Sequence, residues 1–403
     1  MTAEQNLLLH IVRLSMQGQT LQQLPEEALQ IQWDSFLMEA RYQGVLLGVC
    51  EVLAPVQERI PEQVRNTYWK RASATMVTGM REAYNQAELV GVLENAGYPY
   101  VIIKGEASQA YYAKPSARQM GDVDFLVPAQ YTTAIAEKMQ QLGYTYTAEA
   151  GMHHQILDRP KARLEMHLEL AGMPQGAARQ PVEAFLADIY DRSVYRDLGA
   201  GQFRAPCDAH HAVVLLLHMQ HHMMEQGMGL RHLIDWACYV NQTAEDAFWQ
   251  QELLPALEKT GLKRFASVMT KTAAMYLQTA CPQWAAQVEE NLCRAVMGDI
   301  LTGGHFGKKD AERARSSQML PDWEKEKKES RWKRLYASLK KTVLKQRPEL
   351  KGRPVALFFR MAGKAIRYVW LFLQGKRPNL VKAATHVQQR KSVYERLELF
   401  KVK

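Results

Sequence analysis

Two aspartates one residue apart open an apolar run in the stretch RQMGDVDFLV, Arg118 to Val127. An extended chain alternates its faces. Asp122 and Asp124 therefore share one face, while Val123, Phe125 and Val127 fill the other. Two carboxylates about 4 Å apart repel by roughly 4 kcal/mol at an effective dielectric near 20. A proton, a basic partner or a divalent cation must offset that repulsion. Oxygen-only ligands suit Mg2+, or Mn2+ in its place. The stretch RLEMHLEL repeats the pattern, with Glu165, His167 and Glu169 on one face and Leu164, Met166, Leu168 and Leu170 on the other. A sheet that sets Glu165 beside the aspartates brings three carboxylates together, which is equipment for metal-assisted phosphoryl chemistry. The third carboxylate can equally serve as a general base.

These residues need a scaffold. YPYVIIKG reads as a short buried strand ending in Lys104-Gly105, with one or two helical turns after it. Glycine permits close backbone approach and a helix N-terminus attracts phosphate, with Lys104 and Arg118 as possible cationic contacts. The plainer alternative is a solvent-facing strand end at D-x-D and an ordinary turn at K-G. An amphipathic helix, AQYTTAIAEKMQQLG, follows the aspartate strand. Two strands joined by a turn at Asp158 to Lys161 then complete an α/β unit from about residue 98 to 172. Helical periodicity fills residues 1 to about 95 and resumes from Cys207 to about Gln318, interrupted by a loop at TGGHFGKKD. That loop lacks the glycine spacing of a phosphate-binding P-loop.

The succession VIIKG, YYAKPSARQMGDVDFLV and LEMHLEL resembles the nucleotidyltransferase superfamily of polymerase beta and the antibiotic adenylyltransferases. It is more closely similar to a bacterial group of uncharacterised nucleotidyltransferases. That group has a Lys-Gly after the first strand, a tyrosine, an arginine just before an Asp-x-Asp strand and a later acidic-x-His strand. The likeness covers about residues 98 to 170 and extends through HMQHH and LRHLIDWA. It implies that Asp122 and Asp124 bind the metal and that Glu165 completes the acidic triad. It also implies that Lys104, Gly105 and Arg118 handle the triphosphate of ATP or another NTP, with Ser108 nearby as a further nucleotide contact. The sequence departs from the wider superfamily at Gly105-Glu106, where well-studied members carry Gly-Ser or Gly-Gly. The implied fold is α+β and mostly α: a small mixed-sheet nucleotidyltransferase core at 97–175, between helical regions at 1–96 and 176–330, with a basic tail at 331–403.

Histidines and charges near this unit each have two readings. His218 and His222 lie one helical turn apart with His211 on nearly the same face, a spacing that can bind zinc or simply line a cleft or core. His167, His218 and His222 are candidate substrate contacts, and His167 can alternatively satisfy a carboxylate. His153 and His154 either border the cleft or are structural. Arg231 and Asp235, at i and i+4, either pair within their helix or hold the helical domain against the sheet.

The chain has 403 residues, 47% hydrophobic and 23% charged, which is ordinary for a globular protein. Its five cysteines form no C-x-x-C pair, so a reducing cytoplasm is expected. The start lacks signal-peptide character, and no apolar run reaches the roughly 18 residues of a membrane span. The net charge of +9 is uneven: residues 331 to 403 hold 20 Lys+Arg and 3 Glu, or +17, and the rest is −8. Within that tail, RPVALFFRMAGKAIRYVWLFLQGKRP reads as an amphipathic helix. It packs on the helical domain, meets an anionic membrane surface, or, ranked below these, binds nucleic acid.

The expected activity is metal-dependent transfer of a nucleoside monophosphate, AMP from ATP first, to an unknown acceptor hydroxyl or phosphate, with release of pyrophosphate. Glu106 in the phosphate cradle motivates the alternative of a non-catalytic nucleotide-binding scaffold docked by its tail. A zinc enzyme centred on His218 and His222 is the third.

Overall fold

The structure is a computed structural model. It describes residues 1–148, 154–225, 227–243, 246–307, 309, 336, 339, 340, 343, 344, 347, 350, 352–373, 390 and 392–401. Four helices come first: α1 (Ala3–Met16), α2 (Trp33–Tyr42), α3 (Leu46–Leu53) and the 35-residue α4 (Glu62–Ala96). Gly97 closes α4 in the left-handed conformation, φ 67°, which glycine adopts without a steric penalty.

Five strands form one mixed sheet: β1 (Val101–Ile102), β2 (Val123–Leu126), β3 (Thr145–Thr147), β4 (His154–Arg159) and β5 (Ala162–His167). Their order is β1-β2-β5-β4-β3; β2 and β5 run parallel and the other pairs are antiparallel. The single-turn α5 (Glu106–Gln109) and the helix α6 (Thr132–Gln141) flank β2 in sequence. Beyond the sheet come α7 (Arg179–Leu186), the hairpin β6 (Val194–Asp197) and β7 (Gln202–Ala205), then α8 (Asp208–Met224) and α9 (Leu230–Thr243). Next are α10 (Asp246–Phe248), a π-helical turn Trp249–Leu253, α11 (Leu254–Lys259), α12 (Lys263–Leu277), α13 (Gln283–Ala286), α14 (Glu290–Gly303) and α15 (Pro354–Leu373). The fold is α+β and predominantly helical.

The alternation of β2 and β5 decides where the core sits. Val123, Phe125, Leu164 and Met166 are at most 1% exposed and pack with Leu89 and Leu93 of α4 and Ile135 and Met139 of α6. Burying each such side chain contributes about 1.5–3 kcal/mol, which fixes the strand register. A one-residue slip would turn Asp124 and Glu165 into this core. A second apolar cluster runs from Leu7 to Leu301, takes in Tyr394, Leu397 and Leu399, and joins the N-terminal helices to α8, α9, α12 and α14.

Gln43 links the two helical groups. Its side-chain amide donates to Glu39 and to the Ile300 carbonyl, at 3.0 and 3.3 Å. Its Oε1 accepts the Leu230 N–H at 3.0 Å, and its backbone carbonyl accepts the Arg231 N–H at 3.2 Å. Two free donors at the start of α9 are thus satisfied, which fixes where that helix begins.

Two features depart from the sequence reading. The run LEMHLEL is not strand throughout: β5 ends at His167, Leu168 is 40% exposed, and Leu170 joins the other apolar cluster. Glu169 therefore leaves the acidic face and pairs with Arg179 at 2.6 Å. In addition, β3 and the β6–β7 hairpin are strands the periodicity did not reveal.

Of the tail, α15 is a helix with three faces. Leu357 and Met361 are buried and cluster with Val343. Val355, Phe358, Phe359, Ile366 and Trp370 are each more than half exposed and share an arc of about 120° at 3.6 residues per turn. Arg360, Lys364 and Arg367 form an adjacent strip, and the helix contains no acidic residue.

Candidate active site

The acidic face is built by register. Asp124 of β2 lies opposite Glu165 of β5, and Leu126 lies opposite His167. Lateral neighbours in a sheet point the same way, so Asp124, Glu165 and His167 leave one face. Asp122, the residue before β2, is close enough to Asp124 and Glu165 to feel both charges. Glu165 thus sits on the side of the sheet expected from the sequence.

Around Asp124 the partners are specific. Lys104 Nζ is 2.6 Å from its Oδ1 and His167 Nε2 is 2.8 Å from the same oxygen, all three side chains being largely buried. Burial opposes ionisation of Asp124, but Lys104 and then His167 outweigh it and hold the carboxyl well below the usual range. Asp122 has no hydrogen bond or ion pair to another side chain among the described residues. The charge on Asp124 and then burial push its carboxyl up to about 6, with Lys104 pulling the other way. Glu165 is held by Arg163 at 3.0 Å, with His154 Nε2 at 3.6 Å and His167 Nε2 at 4.0 Å. His154, Glu165 and His167 bring ligand atoms within 4.8 Å of one another. His154 therefore borders the acidic face; His153 lies outside the described residues.

This donor set fits a divalent cation. Asp122 is a carboxylate with no side-chain partner among the described residues, beside a second carboxylate whose charge raises its proton affinity, and a cation between the two would relieve that repulsion. Asp122 and Asp124 would hold the ion, with Glu165 as the third oxygen ligand.

The phosphate-side residues are arranged less simply. Gly105 has φ 61° and ψ −119°, a conformation essentially confined to glycine. The helix after it is a single turn, and three of its amides are already engaged: Ala107 N–H bonds the Lys104 carbonyl, and Ser108 and Gln109 N–H bond that of Gly105. The amides of Gly105 and Glu106 are what remain for an anion. Glu106 is 4% exposed and accepts a hydrogen bond from Gln86 of α4. Burial first, then Asp197, raise its carboxyl to about 7. Ser108 is 2% exposed, and its hydroxyl has no partner among the described residues.

The family model described as an uncharacterised nucleotidyltransferase matches residues 30–278. The chain belongs to this nucleotidyltransferase family. The match runs well beyond the strands that carry the motifs, through α2 to the end of α12. No curated protein and no solved structure matches the chain.

Within this nucleotidyltransferase the expected role of Arg118 needs correction. Its side chain is 2% exposed and does not present itself to a triphosphate. Nε and Nη2 donate to the two oxygens of Asp235 at 2.7 and 2.9 Å, and Nη1 donates to the Gly105 carbonyl at 3.2 Å. Tyr112 donates its hydroxyl to Asp235 as well. Arg118 is thus a brace that holds Gly105 and ties the sheet to α9. The pairing of Asp235 with Arg118 rather than Arg231 selects the second of the two sequence readings. Arg231 is close enough to Asp122 to favour its ionised form, but burial and then the Arg118 charge weaken its own hold on a proton.

The histidines of α8 divide. His211 stacks on Tyr111 at 4.9 Å and takes no part with the others. His218 and His222 face each other with Nε2 atoms 2.8 Å apart, and His232 of α9 joins them. Burial holds all three well below the usual imidazole range. Sequence reasoning missed His232, Tyr112 and Arg163. His232 stood in the quoted LRHLIDWA, one residue after Arg231, but nothing local shows which face of α8 it meets.

Proposed function

We propose that the protein transfers a nucleoside monophosphate from an NTP, ATP first, to an acceptor hydroxyl or phosphate and releases pyrophosphate. The observation that carries this reading is the register: Asp124 and Glu165 are lateral partners on one sheet face, with Asp122 close enough to feel both charges, in a chain of the nucleotidyltransferase family. Asp122 and Asp124 would bind Mg2+ or Mn2+, with Glu165 completing the set. A cation bound there would screen the triphosphate and stabilise charge developing on the attacked phosphorus and the leaving pyrophosphate. Lys104 supplies a fixed positive charge at the same place, and the Gly105 and Glu106 amides supply donors for a phosphate oxygen. His167 orients the Asp124 carboxylate. Glu165, if free of the cation, takes the acceptor proton.

The test uses ATP labelled at the α-phosphate, Mg2+ and cell extract, with mass spectrometry to find the labelled acceptor. Label appearing on an acceptor together with pyrophosphate supports transfer. Calorimetric binding of Mg2+–ATP with no transfer and no pyrophosphate supports the non-catalytic scaffold instead. Burial of Glu106 under α4 leaves no side chain of that residue in the cradle, which favours the enzyme.

No described helix is long and apolar enough to cross a membrane. We further propose that α15 seats the protein on an anionic bilayer surface, peripheral to the cytoplasmic face. Its exposed aromatic and aliphatic arc would enter the headgroup boundary while Arg360, Lys364 and Arg367 meet lipid phosphate.

A further inference from the structure

Three histidines from two helices converge outside the carboxylate set. His218 and His222 lie one turn apart on α8, and His232 approaches from the first turn of α9. Their ligand atoms lie within 4.8 Å of one another. The His218 and His222 rings stand at 89° with centres 4.3 Å apart, and the His232 ring centre is 4.7 Å from His222 and 5.3 Å from His218. One hydrogen bond can join the two facing Nε2 atoms, and it leaves the third ring out. His232 is 1% exposed and its Nε2 has no hydrogen-bond partner among the described residues. A buried polar atom left in that state is destabilising. One cation would satisfy all three rings.

We propose that His218, His222 and His232 form a three-histidine site for a borderline divalent metal ion, Zn2+ in the first instance. Imidazole nitrogen suits zinc, whereas magnesium prefers oxygen, so this site and the Asp122–Asp124 pair favour different ions. No fourth His, Cys, Asp or Glu completes the group among the described residues. One coordination position is therefore left to water or a bound molecule, as in zinc sites that act rather than only brace. His218 and His222 are partly exposed, which gives an ion a way in. His232 Nδ1 accepts the Gly229 N–H at 3.3 Å. Ligation through Nε2 moves the ring proton to Nδ1 and exchanges that long hydrogen bond for a metal–nitrogen bond.

The site does not depend on the nucleotidyl-transfer reading, and its test needs no activity. Full-length protein is stripped with chelator, loaded with Zn2+, desalted and assayed by elemental mass spectrometry. Co2+ loading gives a visible spectrum that reports tetrahedral nitrogen ligation. Wild type retains one equivalent, Asp122→Asn/Asp124→Asn retains the same, and His218→Gln/His222→Gln binds about 100-fold more weakly or not at all. His232→Asn, checked for folding by circular dichroism, behaves as the double variant does. Failure of wild type to retain zinc, undiminished binding in folded histidine variants, or loss of the metal in the aspartate variant overturns the proposal.

Discussion

Asp124 of β2 is the lateral partner of Glu165 of β5 in the sheet's one parallel strand pair, and their side chains leave the same face. The proposed nucleotidyl transfer rests on that adjacency. Lys104 and His167 converge on one oxygen of Asp124, while Asp122 beside it has no side-chain partner among the described residues.

Asp122 makes stability depend on pH. Its carboxyl rises from an ordinary 3.8 to about 6 in the folded chain, so folding favours its protonated form. That contribution is fully present below about pH 4 and is lost as pH rises through about 6. In chelator at pH 7.5, Asp122→Asn should therefore be more stable than wild type by roughly 1–2 kcal/mol, and the gain should vanish near pH 4. Urea melts at the two pH values check this. A destabilised Asp122→Asn at pH 7.5 would show that the repulsion is already relieved.

Mg2+ should compete with the same proton. Apparent Mg2+ affinity in the presence of ATP should climb between pH 5 and pH 7, bending near Asp122's value of about 6. Asp124→Asn removes the neighbouring charge that raises Asp122, so whatever affinity survives should bend at lower pH. Calorimetric titration over that range decides the matter, and a flat profile in wild type speaks against Asp122 as a ligand.

Arg118 and Asp235 form a buried bidentate pair with Tyr112 attached. Removing one partner strands a charge. Arg118→Ala and Asp235→Ala should each lose about 3–5 kcal/mol, and Arg118→Lys, which keeps the charge without the fork, should lose most of that. Thermal melts give the answer. Unchanged melting with a raised KM for ATP would instead return Arg118 to the triphosphate.

At Gly105 the obstacle to a side chain is the backbone. An added Cβ would meet the flexible Met120 side-chain end at 3.3 Å and the Asp122 carbonyl oxygen at an ordinary 3.9 Å, while φ 61° and ψ −119° are strained for alanine. Gly105→Ala should cost about 1–3 kcal/mol, with no rescue by Met120→Ala. Rescue in the double variant would mean that contact, not conformation, reserves the position for glycine.

For α15, co-sedimentation with vesicles of phosphatidylserine and phosphatidylcholine should exceed that with phosphatidylcholine alone, and should fall with salt. Ile366→Asp/Trp370→Asp, at exposed positions, should abolish it without changing the melting temperature. Absence of vesicle binding, or concentration-dependent dimerisation through the same residues, would assign the face to another occupant.

Much of the site was legible because period-two alternation is local. Asp122 with Asp124, and Glu165 with His167, can be placed on a face from spacing alone. That the two strands are neighbours cannot be read that way, and it came from the family resemblance. Arg118 was misread because its partner lies 117 residues away on α9, and a buried clamp and a phosphate contact look alike in sequence. The β6–β7 hairpin did carry a signal, two short runs around Leu198-Gly199-Ala200-Gly201, but four-residue strands give little alternation to detect. Glu106 looked like an intruder in a phosphate cradle, and only the position of Gln86 on α4 shows that its carboxyl turns away into a buried contact.

The most direct measurement is pyrophosphate release from α-labelled ATP and Mg2+ in extract containing the acceptor, comparing wild type with Asp122→Asn/Asp124→Asn and with Glu165→Gln. Asp122 and Asp124 acting as proposed, the double variant loses at least about 10³-fold in rate while its circular dichroism stays native, and Glu165→Gln falls between the two. Wild-type turnover in a folded Asp122→Asn/Asp124→Asn protein would contradict the assignment of catalysis to this face.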